Sequence, residues 1–137
     1  LTTTTQVDRN RPPREVAFAM GNDNADCVII TDTSGGEGKV RPIGILTEKD
    51  LALFILDDVE ATSAITVGEL LNGELVTINE SDSVNQAIAL MSQHSIHRLP
   101  VTRSDGTLAG ILTVDDLLHF LAQLTPRKSG CSLQQAV

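Results

Sequence analysis

Apolar positions along the chain fall into two matching bands. Val16, Ala17 and Met20 recur at helical spacing, and Val84, Ala87, Ile88 and Met91 do so more fully at i, i+3, i+4 and i+7. Each band is followed by two short apolar runs, Val28 to Ile30 then Ile43 to Leu46, and Leu99 to Val101 then Leu108 to Leu112. Short runs bounded by polar turn residues predict strands. A second helical face closes each half, Leu51, Phe54 and Ile55 in one and Leu117, Phe120, Leu121 and Leu124 in the other. A β-branched stretch near Thr5 to Val7 predicts an edge strand ahead of the first helix. Pro12-Pro13 opens that helix, since proline is tolerated in a first turn. Ser83 and Gln86 have capping-box spacing at the start of its counterpart. Each half therefore reads β-α-β-β-α, which makes the chain α/β, or α+β in strict sheet terms.

The two halves are copies of one unit. Gly44-Ile45-Leu46-Thr47-Glu48-Lys49-Asp50 returns 66 residues later as Gly110-Ile111-Leu112-Thr113-Val114-Asp115-Asp116. Upstream the offset is 71, because Val16-Ala17-x-x-Met20 matches Ala87-Ile88-x-x-Met91. Five extra residues of the first copy must lie between Met20 and Gly44, and the glycine-rich Thr33 to Lys39 is the expected turn. Surface turns lengthen at small entropic cost. A unit of this size does not usually bury its apolar face alone, so the copies are expected to pack as a pseudo-twofold pair with equivalent clefts. The division expected is repeat one over 5–57, a linker over 58–67, repeat two over 68–125 and a flexible tail over 126–137.

Composition narrows the partners. With 41% hydrophobic but only 2% aromatic residues, the core must be aliphatic. Stacking platforms for single-stranded nucleic acid are scarce, and a net charge of −8 opposes binding to a phosphate backbone, so no nucleic-acid partner is expected. No run of eighteen apolar residues predicts a membrane helix, so no membrane partner is expected either. Cys27, beside Val28-Ile29-Ile30, reads as a buried reduced thiol, and Cys131 lies in the polar tail. Together with the lack of a legible secretory signal, this favours a cytoplasmic location.

Chemistry-bearing residues are few. T-x-x-D before an apolar helix is a capping box, and the same residues can also serve a ligand. His94, His97 and His119 bracket a helix end or sit in another helix, with no ligand set at familiar spacing, so no metal site is expected. Ser95, His97 and Asp105 lack the strand-turn-helix setting of a catalytic triad. The acids Asp115-Asp116 are ordinary complements of a helix dipole. Gly35-Gly36-Glu37-Gly38-Lys39 lacks phosphate-loop spacing. No catalysis and no required cofactor are expected.

Val76-Thr77-Ile78, Ala87-x-x-x-Met91, His97-Arg98-Leu99-Pro100-Val101 and Gly110-Ile111-Leu112-Thr113-x-x-Asp116 together resemble a cystathionine-β-synthase (CBS) domain. Val7, Val16-Ala17-x-x-Met20, Val28-Ile29-Ile30 and Gly44-Ile45-Leu46-Thr47-x-x-Asp50 resemble a second. Two copies in this order resemble a CBS pair, or Bateman module, over roughly residues 5–125. The resemblance implies a regulatory module that binds an adenosine-containing nucleotide of the AMP, ADP or ATP kind, forms a homodimer and signals to an effector protein. It implies one cleft built from Ile45, Thr47 and Asp50 with Val76, His97 and Arg98, bordered by Thr66. It implies a second from Ile111, Thr113 and Asp116 with Thr5, Asp26 and Cys27.

The residue types suit those roles. Asp50 and Asp116 can accept hydrogen bonds from ribose hydroxyls, and a threonine hydroxyl with free N–H groups at a helix start suits phosphate. His97 and Arg98 add donors for phosphate oxygens, or else form a solvated basic step before a strand. Asp26 and Cys27 stand where His97 and Arg98 stand in the other copy, so the second cleft is expected to bind anions poorly. The alternative reading is a dimerisation scaffold with empty clefts. The helices bearing Leu51, Phe54, Ile55, Leu117, Phe120 and Leu121 are expected to supply the dimer surface.

Overall fold

The structure, a computed structural model, describes residues 5–25, 27–36, 38–57, 65–71 and 73–123. The chain divides into two compact units, the boundary falling between Leu75 and Val76. The first contains β1 (Thr5–Asp8), α1 (Pro13–Asp23), β2 (Cys27–Asp32), β3 (Arg41–Thr47) and α2 (Glu48–Asp57). The second contains β4 (Ile78–Asn79), α3 (Val84–His94), β5 (Arg98–Thr102), β6 (Leu108–Thr113) and α4 (Val114–Gln123). Both follow the β-α-β-β-α order read from the apolar pattern. Each has a three-stranded sheet, ordered β1-β2-β3 or β4-β5-β6. In each sheet the first pair of strands is parallel and the second antiparallel.

The repeat persists down to single hydrogen bonds. The Arg9 N–H donates to Thr31 O at 2.8 Å, and the Glu80 N–H to Thr102 O at 2.8 Å. Both α1 and α3 close on a residue in the left-handed region, Asn24 at φ 51° and Ser95 at φ 54°. Past each of them an N–H turns back to a methionine carbonyl, Ala25 to Met20 at 2.9 Å and Ile96 to Met91 at 3.0 Å. The ladders slip at the same place, between Ile30 and Thr31 and between Val101 and Thr102. Beyond the slip, Thr31 pairs with Pro42, eleven residues on, whereas Thr102 pairs with Leu108, six residues on. The five additional residues therefore lie in the β2–β3 turn, as expected. Gly36 at φ 116° and Gly38 at φ 74° take backbone conformations there that side chains resist.

Each unit has its own aliphatic core. Val16, Met20, Val28, Ile30, Leu46, Leu51 and Val67 form the first. Ile78, Val84, Ala87, Met91, Leu99, Val101, Leu112 and Leu117 form the second. On α3 the helical stripe is narrower than its spacing implied: Val84, Ala87 and Met91 are buried, while Ile88 is 37% exposed. Cys27 is buried, as its neighbours predicted. The Ser83–Gln86 capping box forms, with Gln86 N–H to Ser83 Oγ at 3.1 Å and Ser83 N–H to Gln86 Oε1 at 2.8 Å.

The proposed dimer surface needs correction. Leu51 and Leu117 are core residues, and Phe54 and Phe120 are half-buried. Leu121 is exposed as expected and the Ile55 side chain lies outside the described residues; the other large apolar side chains that α2 and α4 turn outward among the described residues are Leu53, Leu56 and Leu118. The reason is angular: at about 100° per residue, Leu53 lies roughly 200° round the helix from the buried Leu51.

A 3-10 turn, Val67–Leu70, was not expected. It fastens to the first unit through Val67 N–H to Arg11 O at 2.7 Å and Gly68 N–H to Arg9 O at 2.9 Å. Val67 is fully buried in that core, with Leu70 and Leu71 packed against it. Packing thus carries the first unit through the end of the expected linker and as far as Leu75. Residues 58–64 of that linker, the tail from 126 onward, Leu124, Asp26 and Cys131 lie outside the described residues.

The turns joining the antiparallel strands hold acids in strong local bonds. Asp105 Oδ1 accepts the Thr107 hydroxyl at 2.6 Å and its N–H at 3.0 Å. These bonds, helped by the Arg103 charge, keep the Asp105 carboxyl below its ordinary value of 3.8. Asp32 is lowered too, first by the Ser34 N–H, 2.9 Å from Oδ1, and then by the Ser34 side chain, Arg9 and Arg41.

Candidate functional site

The two T-x-x-D turns sit where a strand hands over to a helix. In the first unit the Thr47 N–H donates to Asp50 Oδ2 and the Asp50 N–H to Thr47 Oγ1, each at 3.2 Å. In the second the Thr113 N–H donates to Asp116 Oδ2 at 3.0 Å and the Asp116 N–H to Thr113 Oγ1 at 3.1 Å. Both are reciprocal capping boxes that satisfy N–H groups a helix start leaves open. The acid is held at one oxygen by this role. Asp50 keeps Oδ1 without a hydrogen bond among the described residues.

Strand register decides which other residues join these turns. Cys27 stands opposite Thr47 in the β2–β3 ladder, and Arg98 stands opposite Thr113 in the β5–β6 ladder. His97 O accepts the Val114 N–H at 3.1 Å, which fixes His97 at the start of α4. Within the second unit, then, His97, Arg98, Thr113 and Asp116 gather around one helix start. The repeat offsets already carried this signal, since Cys27 maps to Arg98 and Thr47 to Thr113. Ile45 is half-buried on β3, and Ile111 is buried on β6. The Thr5 hydroxyl donates to Asp23 Oδ2 at 2.8 Å.

Thr66 and Val76 occupy structural positions. The Thr66 N–H donates to Glu69 Oε2 at 2.8 Å at the head of the 3-10 turn. Val76 precedes β4 and packs against the second core. The Ser95 and Asp105 of the discarded triad serve as a helix cap and a turn anchor. Among the described residues no group of three His, Cys, Asp or Glu could hold a metal ion. No helix among them is long and apolar enough to cross a membrane.

A hollow of about 450 Å³ runs beside β3 within the first unit. That volume falls in the range of small-molecule sites. Ile43 and Ile45 form one wall, Leu53 and Phe54 of α2 another, and Leu71 and Leu75 a third. Among the described residues its charged groups are Asp50 and Glu74, and none of those lining it is Lys, Arg or His. The wall formed by Leu70, Leu71, Gly73, Glu74 and Leu75 was not legible in the sequence. Thr66 to Glu69 has capping-box spacing ahead of Leu70-Leu71, and that pattern marks a turn with an apolar side to dock. A smaller hollow of about 270 Å³ lies between α1 and α2, edged by Ala17, Met20, Asn24 and Glu48.

A family model for the CBS domain matches residues 67–123. The chain is 31% identical to the CBS domain-containing protein YhcV of Bacillus subtilis, over 96% of this chain and 89% of that one. It is also 31% identical to an uncharacterized protein of Methanopyrus kandleri, over 77% of this chain. The chain spans about half, 51%, of that relative's length. Among solved structures it shares its fold with a CBS domain protein of Pyrobaculum aerophilum complexed with AMP. The TM-score is 0.66 and the identity 20%, with 90% of this chain and 95% of that one covered.

Proposed function

Because the chain belongs to the CBS-domain family, we propose that it is a regulatory module whose ligand is an adenosine-containing nucleotide. The observation that carries this reading is a ligand-sized hollow lined by Asp50, one of whose carboxylate oxygens is left over from helix capping. An AMP complex of a protein with the same fold supports the choice of ligand. In this reading the first unit offers Asp50 to the ribose hydroxyls, Ile45 to the base and Thr47 and Thr66 to a phosphate, and the second unit offers Val76 to a base and His97 and Arg98 to a phosphate. Thr113 and Asp116 repeat the turn in the second copy, beside Arg98 of their own unit. Ligand occupancy shifts the population of two arrangements of a homodimer in the cytoplasm. Linkage then changes affinity for an effector protein by the same factor. No step of this scheme requires catalysis or a cofactor.

The outward leucines Leu53, Leu56, Leu118 and Leu121 favour a second reading, a dimerisation scaffold that binds no nucleotide. Thermal unfolding with adenosine, AMP, ADP and ATP separates the two. Specific binding raises the melting temperature, by the equivalent of about 2.7 kcal/mol at a hundred times Kd. Arg98→Ala, with circular dichroism confirming its fold, is expected to weaken AMP binding. No shift with any of the four compounds overturns the sensor reading, and an unchanged AMP affinity in Arg98→Ala overturns the phosphate role.

A further inference from the structure

Resting on the nucleotide reading above, we infer that Glu74 is a specificity-determining residue that opens the first unit's hollow to the nucleoside end of a ligand and opposes polyphosphate. Among the described residues the hollow has aliphatic walls, two carboxylates and no cationic group in its lining. The two acids are not equivalent. Asp50 is fixed by its reciprocal bonds to Thr47, so its charge is committed to the start of α2. Glu74 is exposed and makes no hydrogen bond or ion pair among the described residues. Gly73, at φ 77°, turns the backbone just ahead of it, so that Glu74 and Leu75 both enter the wall. A sugar and an uncharged base find acceptors and apolar contact in such a space. Each added phosphate brings further negative charge toward the Glu74 carboxylate at the edge of the hollow, and like charges at such short range repel.

Isothermal titration of the full chain with adenosine, AMP and ATP tests this, comparing the wild type with Glu74→Gln. The wild type is expected to bind AMP more tightly than ATP. Glu74→Gln is expected to strengthen ATP binding about three- to tenfold while leaving adenosine within about twofold. Repeating the titrations at about 50 and about 500 mM salt adds a second readout, since the gain for ATP should shrink as the charges are screened. Equal changes for ATP and adenosine, no change for ATP, or a gain indifferent to salt would overturn the role of Glu74. A wild type that binds none of the three compounds would instead overturn the nucleotide reading, and this inference with it.

Discussion

Leu71 lies directly over the bare Cα of Gly44, so close that a Cβ built there would stand 2.9 Å from Leu71 Cγ and nearer still to its methyl groups. The glycine of the first repeated run is thus needed for a close approach. Gly44→Ala should push Leu71 out of its seat and cost about 1–3 kcal/mol, the usual penalty of overpacking. Urea unfolding of Gly44→Ala, Leu71→Ala and the double variant would show the mechanism. The double variant should be more stable than the sum of the single effects predicts, because the clash is then gone. Additive losses would mean that the two residues do not meet.

The T-x-x-D turns combine a structural duty with a proposed ligand duty, and Asp50 allows the two to be separated. Asp50→Glu keeps an acid at the third helical position, where capping boxes accept Glu, but moves the carboxylate relative to the hollow. Its stability should match the wild type while its AMP affinity falls. Asp50→Ala should lose both, with a stability cost of about 0.3–1 kcal/mol from the missing charge at the helix start. Chemical denaturation and titration calorimetry on the same two variants give the comparison. Equal affinity in Asp50→Glu and the wild type would leave Asp50 with the cap alone.

Asp32 and Asp105 make an acid-side prediction. Both carboxyls are held below 3.8 by local hydrogen bonds, to Ser34 and Thr107 respectively. A lowered folded-state value stabilises the fold at pH above the unfolded value and loses that contribution as pH falls through the folded one. Stability should therefore begin to decline near pH 4 and continue to fall below it. Asp105→Asn should flatten its share of the decline. Carbon-detected NMR titration of the side-chain carboxyls should give both midpoints below the ordinary Asp value, and unshifted midpoints would contradict the turn geometry.

The fold was largely legible in the sequence because the repeat supplies two independent copies of each signal. The Val84-Ala87-Met91 stripe made the weaker Val16-Met20 pattern readable as a helix, and the change of offset from 71 to 66 located the longer turn. What escaped was set by packing. No periodicity marks Val67 to Leu75 as part of the first unit, because its place follows from Leu71 meeting Gly44 and Val67 meeting the core. Ile88 reads as core by spacing, yet the small face of α3 is filled by Val84, Ala87 and Met91, so the fourth apolar position stays about a third exposed at the core's edge. At the candidate site, the sequence named Ile45, Thr47 and Asp50 but not Glu74, because nothing in the pattern shows which residues of an irregular stretch turn toward a hollow.

The β2–β3 turn is five residues longer than its counterpart, yet the ladders on either side keep the same register and the same slip. A connection that has already absorbed extra length without disturbing its neighbours is a natural point of insertion. A fluorescent protein or an epitope spliced between Ser34 and Lys39 would leave both sheets intact, giving an optical reporter of whatever the molecule binds.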